Sequence, residues 1–356
     1  MKEKASVKLS VIIPCRNEKR HICEFLDSVL AQDLERGWEM EILVTDGLSD
    51  DGTRELLSQY SKKAPHLRMI DNPGRIVSTG LNAGISAATG EIIIRMDAHT
   101  TYARDYIREC VRVLEESGAD NVGGPWVAEG RGLIGKAIAA ALRSPFCSGG
   151  GKAHEPNYEG EVDTVYLGCW ARTVFERVGL FDPDLVRNQD DEFNFRLRRL
   201  GGRIWQSPRI KSSYAPRTSV GPLFRQYLQY GFWKVAVIRK HRALACWRHV
   251  VPVVFVSWIL GSLAGISLAA LLGVNAVAFG IAAALATGLS VYLLACAAST
   301  LPFARSLEPR ALLIVPGVIA VCHAAYGLGF LIGVLKFTGR GSCGIAPARL
   351  FTALTR

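Results

Sequence analysis

Three apolar runs constrain this chain more than any other feature of its sequence. Residues 250–272, 276–298 and 311–335 are 23, 23 and 25 residues long, with His323 the one ionisable side chain of note among them. About 20 such residues, at 1.5 Å each, cover the hydrocarbon core of a bilayer. Buried helices of a soluble protein are the competing reading. Three successive runs of this length, rich in Gly and Ala, favour membrane helices. The chain is expected to be an integral membrane protein, with residues 1–245 forming a soluble domain ahead of a transmembrane region at 250–335.

Charge and cysteine content narrow the setting. The chain has 356 residues, 42 Lys+Arg against 32 Asp+Glu, a formal charge of +10, and 49% hydrophobic residues, which excludes a disordered chain. Nine cysteines contain no C-x-x-C pair, so a zinc ribbon, a thioredoxin-like motif and a disulfide scaffold are all disfavoured, and the thiols read as reduced. The first residues lack the apolar core of a signal peptide, which leaves the soluble domain in the cytoplasm at the inner (plasma) membrane. Residues 209–248 carry nine Lys/Arg and no acid. Basic residues beside a span mark the cytoplasmic side and attract anionic lipids, a better use for this run than nucleic acid. The basic tail at 336–356 (Lys336, Arg340, Arg349, Arg356) conflicts with three crossings, which would leave it outside. Pro316, Gly317, Gly327 and Gly329 would allow the last run to break or re-enter, and the sequence leaves that orientation open.

Within the soluble part, short β-rich runs at 9–14, 41–44, 67–70 and 91–96 alternate with helical spacing at 22–30, 54–61 and 77–88. That alternation predicts an α/β domain with a Rossmann-like, mostly parallel sheet. Ligands in such sheets gather at the carboxyl ends of strands, where Arg16, Asn17, Asp46 and Asp97 fall. The first strand is not followed by G-x-G-x-x-G, and no P-loop motif occurs, which lowers the case for a dehydrogenase or a P-loop ATPase. Asp97-Ala-His99 is the sharpest chemical signal, because a carboxylate and an imidazole two residues apart can face one divalent ion that also holds phosphate oxygens. An ordinary turn with a helix-capping Asp97 would look the same in isolation.

The order of motifs separates the two. Ser-Val-Ile-Ile-Pro-Cys-Arg-Asn-Glu at 10–18, Val-Thr-Asp-Gly-Leu-Ser-Asp-Asp-Gly-Thr at 44–53, Asn-Ala-Gly-Ile-Ser-Ala-Ala-Thr-Gly-Glu at 82–91, Arg-Met-Asp-Ala-His at 95–99 and Asn-Gln-Asp-Asp-Glu-Phe-Asn-Phe-Arg at 188–196 together resemble family-2 inverting glycosyltransferases of the GT-A fold. Within that family the chain resembles the membrane-attached, succinoglycan-type glucosyltransferases of exopolysaccharide biosynthesis. The resemblance implies that Pro14, Arg16 and Glu18 lie against the donor nucleotide, with Glu18 near the ribose, and that Asp46 meets the base. It implies that Asp97 and His99 hold Mn²⁺ or Mg²⁺ on the diphosphate. His99 stands where the family usually has a second acid.

The same resemblance makes Asp190 the general base, with Asp191 second, while Gln189 replaces the family's Glu. A charged helix start would also place Asp190, Asp191 and Glu192 there without any catalytic role. Asp50 reads as turn chemistry, Cys15 and Cys169 as packing residues, and the glycine-rich stretch 148–154 as a mobile loop or linker. Asp163, Trp170 and Gln226 are candidate acceptor contacts, with Gln226 opening an aromatic, basic segment that lacks the Arg-Trp pair of processive relatives. The expected activity is transfer of one hexose, glucose from UDP-glucose, to a polyprenyl-diphosphate-linked saccharide. Transfer to bare polyprenyl phosphate and processive polymerisation are the alternatives.

Overall fold

A computed structural model describes residues 7–244, 246–338 and 349–352. They fall into two compact units: Met1–Val127 with Lys152–Ala215, and Ala128–Gly151 with Pro216–Arg356.

The first unit begins with β1 (Lys8–Cys15), α1 (Ile22–Leu30), β2 (Glu39–Asp46), α2 (Thr53–Lys63), β3 (Leu67–Asp71), α3 (Val77–Ala87), β4 (Ile92–Arg95), β5 (Thr100–Tyr102), α4 (Tyr106–Ser117) and β6 (Asn121–Gly124). After α5 (Gly132–Arg143) and α6 (Pro145–Ser148), which belong to the second unit, it resumes with β7 (Gly160–Glu161), β8 (Tyr166–Ala171), α7 (Thr173–Val178), α8 (Gln189–Arg199), β9 (Ile204–Gln206) and β10 (Ser212–Tyr214). Eight strands form one sheet in the order β3-β2-β1-β4-β8-β6-β9-β7, while β5 and β10 pair separately. β3, β2, β1 and β4 run parallel, so their carboxyl ends share one edge, with Cys15 opposite Asp46 and Ile12 opposite Arg95. β8 enters antiparallel between β4 and β6.

The alternation of β1 explains why this sheet is covered on both faces. Leu9, Val11, Ile13 and Cys15 join Phe25, Leu26 and Val29 of α1 in one core, whereas Ile12 joins Leu81 and Ile85 of α3 with Phe193 of α8 in the other. Each such side chain, taken fully out of water, stabilises the unit by about 1.5–3 kcal/mol.

The second unit adds α9 (Val220–His241), α10 (Val251–Leu271), α11 (Asn275–Ala298), α12 (Pro309–Thr338) and α13 (Arg349–Thr352). Three of its helices are long and apolar enough to cross a membrane: Trp247–Leu271, Asn275–Phe303 and Pro309–Phe337. Segment 128–151, which the sequence reading kept inside the soluble domain, groups here because α5, Gly-Leu-Ile-Gly-Lys-Ala-Ile-Ala-Ala-Ala-Leu-Arg, buries residues 137–142 without a break and packs along α12. Of the basic tail, Lys336, residues 337–338 and α13 are described; residues 339–348 and 353–356, with Arg340 and Arg356, lie outside the described residues.

Candidate active site

The parallel edge collects the polar residues that the sequence placed just after strands. Cys15 ends β1, and Pro14, Arg16 and Glu18 flank that end. Asn17 turns the chain with φ +56° and exchanges side chain and backbone bonds with Asp50, its Nδ2 donating to Asp50 Oδ1 at 2.9 Å and its Oδ1 accepting from Asp50 N at 3.0 Å. Asp50 is thereby used in tying the loop after β2 to the loop after β1. The Glu18 N–H donates to Thr53 Oγ1 at 2.9 Å, which ties the β1 turn to the start of α2. That start is reached through Gly52 at φ +99°, a conformation glycine adopts without strain. Arg16 is half-buried, its Nη1 3.5 Å from the Arg75 carbonyl.

Asp46 ends β2 and is fully buried. Ser49 N donates to Oδ2 at 3.0 Å, Ser49 Oγ donates to Oδ1, and Arg54 Nη1 donates to Oδ2 at 2.6 Å. Arg54 also bridges Asp71 at the end of β3, and these two acids hold its pKa above the ordinary value against partial burial. Both oxygens of Asp46 are thus engaged inside the protein, and Ser49 and Arg54, which sequence reasoning passed over, shape this corner.

Asp97 lies just past β4, with Arg95 as the last residue of that strand. Arg95 Nε donates to Asp97 Oδ1 at 2.9 Å and Nη2 to Oδ2 at 2.8 Å. Burial works against the Arg95 charge, but the carboxylates of Asp97 and Asp190 more than offset it, and its pKa is raised. The guanidinium therefore feels both acids that the sequence had named separately. The signal was present in the strand, Ile-Ile-Ile-Arg, where a single charge closes an apolar run and must find a partner.

His99 is 44% exposed, with Nδ1 3.7 Å from Glu18 Oε1. Among the described residues no group of three or more His, Cys, Asp or Glu is arranged to hold a metal ion. A carboxylate oxygen can accept from more than one partner, and His99 offers a solvent-accessible imidazole. This donor pair fits an ion shared with a substrate diphosphate, which would supply the remaining oxygens; it does not make a resident metal cage.

Asp190 and Asp191 are half-buried in the first turn of α8, after Asn188 at φ +61°, and Asp191 N donates to Asp190 Oδ1 at 2.9 Å. Glu192 and Gln189 are buried. Glu192 accepts from Arg196 Nε at 3.2 Å and Nη2 at 3.0 Å, so of the two acids that could stand in for the family's Glu, Asp191 and Glu192, the second sits in an i,i+4 ion pair.

The acceptor candidates separate. Trp170 is 3% exposed and packs among Phe175, Phe181 and Phe193. A ring with no open face cannot stack on a sugar, so the reading of Trp170 as a platform is corrected to core. Asp163 is half-buried between β7 and β8. Gln226 belongs to α9 in the second unit, where it accepts from Arg217 Nε at 3.1 Å and donates to Tyr230 Oη at 2.8 Å.

Sequence reasoning missed an aromatic group beside His99. The Tyr214 ring lies 6.2 Å from the His99 ring, 5.5 Å from that of half-exposed Trp126 and 6.1 Å from that of Tyr166. The Tyr166 hydroxyl is 2.7 Å from Thr100 Oγ1. Trp126, Tyr166 and Tyr214 are far apart in sequence, and only the pairing of β10 with β5 brings Tyr214 opposite Thr100. Cys15 and Cys169 are buried, and burial pushes the Cys169 thiol up, away from nucleophilic use.

Comparison with known proteins identifies what this edge belongs to. The glycosyl transferase family 2 domain matches residues 10–149. The succinoglycan biosynthesis protein ExoA of Rhizobium meliloti (strain 1021) is 32% identical over 275 residues, 74% of this chain and 80% of the relative. The dolichyl N-acetyl-alpha-D-glucosaminyl phosphate 3-beta-D-2,3-diacetamido-2,3-dideoxy-beta-D-glucuronosyltransferase of Methanococcus voltae is 30% identical over 242 residues, 65% of this chain and 74% of the relative. Among solved structures, the mannosyltransferase PcManGT from Pyrobaculum calidifontis, in complex with GDP-Man and Mn²⁺, superposes with a TM-score of 0.59 at 20% identity, covering 90% of this chain and 87% of that one. That likeness carries the fold, GT-A. The chain is a glycosyltransferase and belongs to glycosyl transferase family 2.

Proposed function

We propose that this enzyme transfers a single hexose, glucose from UDP-glucose, with inversion, to a lipid-linked saccharide during surface polysaccharide assembly. The observation that carries the reading is the Asp97–Arg95–Asp190 arrangement: one guanidinium is paired with the acid proposed for the donor side and feels the charge of the acid proposed for the acceptor side. Two relatives support the acceptor class, one named for succinoglycan biosynthesis and one for a dolichyl phosphate-linked sugar. The apolar helices support a membrane location, where a lipid-linked acceptor is confined; the chain would cross more than once, and the basic residues ahead of the first apolar helix favour a cytoplasmic catalytic unit.

The chemistry follows from the residues. A sugar hydroxyl has a pKa far above 7, so Asp190 accepts its proton as the oxygen bonds to the anomeric carbon. The bond to the departing nucleoside diphosphate breaks on the opposite face, which inverts the centre and needs no enzyme nucleophile. Asp97 and His99 would hold a divalent cation, Mn²⁺ or Mg²⁺, which when bound neutralises charge on the diphosphate. Arg95 fixes the Asp97 carboxylate in orientation. Pro14, Arg16, Glu18 and Asp46 frame the nucleotide, and Trp126, Tyr214 and Asp163 border the acceptor. Anionic lipids would meet the basic segment around α9.

The test is release of nucleoside diphosphate from a panel of nucleotide sugars by the full chain in lipid. Mn²⁺, Mg²⁺ or EDTA is varied, with polyprenyl-diphosphate-linked saccharide or bare polyprenyl phosphate as acceptor. Metal-dependent turnover with the saccharide alone is expected. Turnover on bare polyprenyl phosphate, or full activity in EDTA, would overturn the corresponding part of the proposal.

A further inference from the structure

The three apolar helices are alike in length and composition but not in surroundings. In the most apolar stretch of each, 17% of the first and 6% of the second is buried in the protein, against 39% of the third. Ala311, Val315, Val318, Cys322 and Ala325 of α12 are all buried. Beyond exposed Pro309 and Arg310 in the first turn, the exposed positions, Leu313, Gly317, Ala324, Leu328 and Leu335, repeat at intervals of four and seven and form one apolar stripe along the helix. α10 and α11, by contrast, expose apolar side chains on most sides, as helices in lipid do.

The partners of α12 are not lipid-like. α9 runs beside its second half in close backbone contact. A Cβ added at Gly231 would meet the Tyr326 carbonyl oxygen at 2.0 Å, and one at Gly329 would meet that of Leu228 at 2.0 Å. Arg239 donates to the Phe337 carbonyl. α9 exposes Arg225, Arg239 and Lys240 and cannot lie in hydrocarbon; it precedes α10 on the side from which the chain enters the membrane. At the other end of α12, Lys136 of α5 pairs with Glu308 at 3.2 Å. Both ends of the helix therefore lie against charged groups.

Depth gives an independent argument. Gly327 lies against Pro252 and Val256, at the entry of α10, since a Cβ there would meet the Pro252 carbonyl at 2.5 Å. Gly327 is eighteen residues beyond Pro309, about 27 Å along the helix axis, which is nearly a full bilayer core. Had α12 crossed from the entry side at its first turn, Gly327 would be near the far side, not beside the second residue of α10. Likewise His323 Nδ1 is 2.9 Å from the hydroxyl of Tyr292, which is close to the returning end of α11.

We infer that α12 does not cross the bilayer: the chain crosses as the α10–α11 hairpin alone, and α12 lies in the plane of the entry-side leaflet between α5 and α9, its exposed stripe against the acyl chains. Lys336, in the last turn of α12, then stays on the same side as α9, in keeping with the charge rule that three crossings violated. α13 stays with them, since Gln229 Nε2 donates to the Leu350 carbonyl at 2.8 Å and Trp233 Nε1 to that of Phe351 at 2.9 Å.

Topology reporters on the full chain, in a bacterial inner membrane, test this without reference to catalysis. Alkaline phosphatase, active only outside, and green fluorescent protein, fluorescent only inside, are each inserted at the Gly273–Val274 turn and fused after Arg356. The expected pattern is phosphatase activity at the turn and fluorescence with at least tenfold lower phosphatase activity at the end. Phosphatase activity after Arg356 would overturn the in-plane assignment, and fluorescence at the turn would overturn the hairpin. Impermeant proteolysis of an epitope placed after Arg356, protected in intact spheroplasts and cut in inverted vesicles, is expected in parallel; cutting in intact spheroplasts would likewise overturn it.

Discussion

The Arg95 guanidinium grips both carboxylate oxygens of Asp97, at 2.9 and 2.8 Å, with the two side chains only 8% and 15% exposed. Such a fork-to-fork pair fixes direction as well as charge. Arg95→Lys keeps the charge but loses the fork, and is expected to lower kcat/KM about tenfold, since small misplacements at a reacting centre are costly. Arg95→Met leaves Asp97 buried without its cation and should destabilise the unit by about 3–5 kcal/mol. The double change Arg95→Met with Asp97→Asn should recover most of that stability in urea unfolding while activity stays lost; additive destabilisation would refute the coupling.

Removing the proposed base separates chemistry from binding. Asp190→Asn is expected to lower kcat by about 10²–10⁴-fold with donor KM unchanged. Asp191→Asn should cost less than about tenfold, because the resemblance puts Asp190 first. If the two variants behaved alike, the assignment of the base to Asp190 would fail.

Trp126 is half-exposed, its ring 5.5 Å from that of Tyr214, which in turn lies 6.2 Å from the His99 ring. Trp126→Ala should raise acceptor KM roughly 3–10-fold, the worth of one aromatic contact, and leave donor KM alone. Trp170→Phe, in the core, should instead change only thermal stability. Steady-state kinetics with each substrate varied in turn decides the point.

Glu41 gives a pH dependence with a definite sign. Burial pushes its carboxyl up, but bonds from Ser10 and from Thr89, with the charge of Arg68, more than offset this and hold its pKa below the ordinary 4.5. A depressed folded-state pKa contributes stability above the unfolded value, and that contribution is lost as pH falls through the folded value. Glu41→Gln should therefore destabilise by about 2 kcal/mol at pH 7. The difference from the parent should shrink as pH falls below 4.5 through the lowered folded-state value, followed by urea unfolding across that range. A constant difference across pH would show that the charge is not what matters.

The sequence by itself determined the elements and the edge on which chemistry gathers. Short β-rich runs at 9–14 and 91–96 mark buried strands because a strand covered on both faces is apolar at successive positions, and the carboxyl ends of parallel strands share an edge whatever else the chain does. Asp50, read as local turn chemistry, instead bonds Asn17 in a different loop. The tertiary structure decided what depends on residues distant in the chain. Trp170 as core and half-exposed Trp126 packed on buried Tyr214 are indistinguishable in composition, and only the neighbours brought by α8, β5 and β10 separate them. The three apolar runs likewise satisfy one length criterion. Hydropathy measures how favourably a helix leaves water; it does not say whether lipid or protein replaces the water, and the packing of α5 and α9 on α12 supplies that answer.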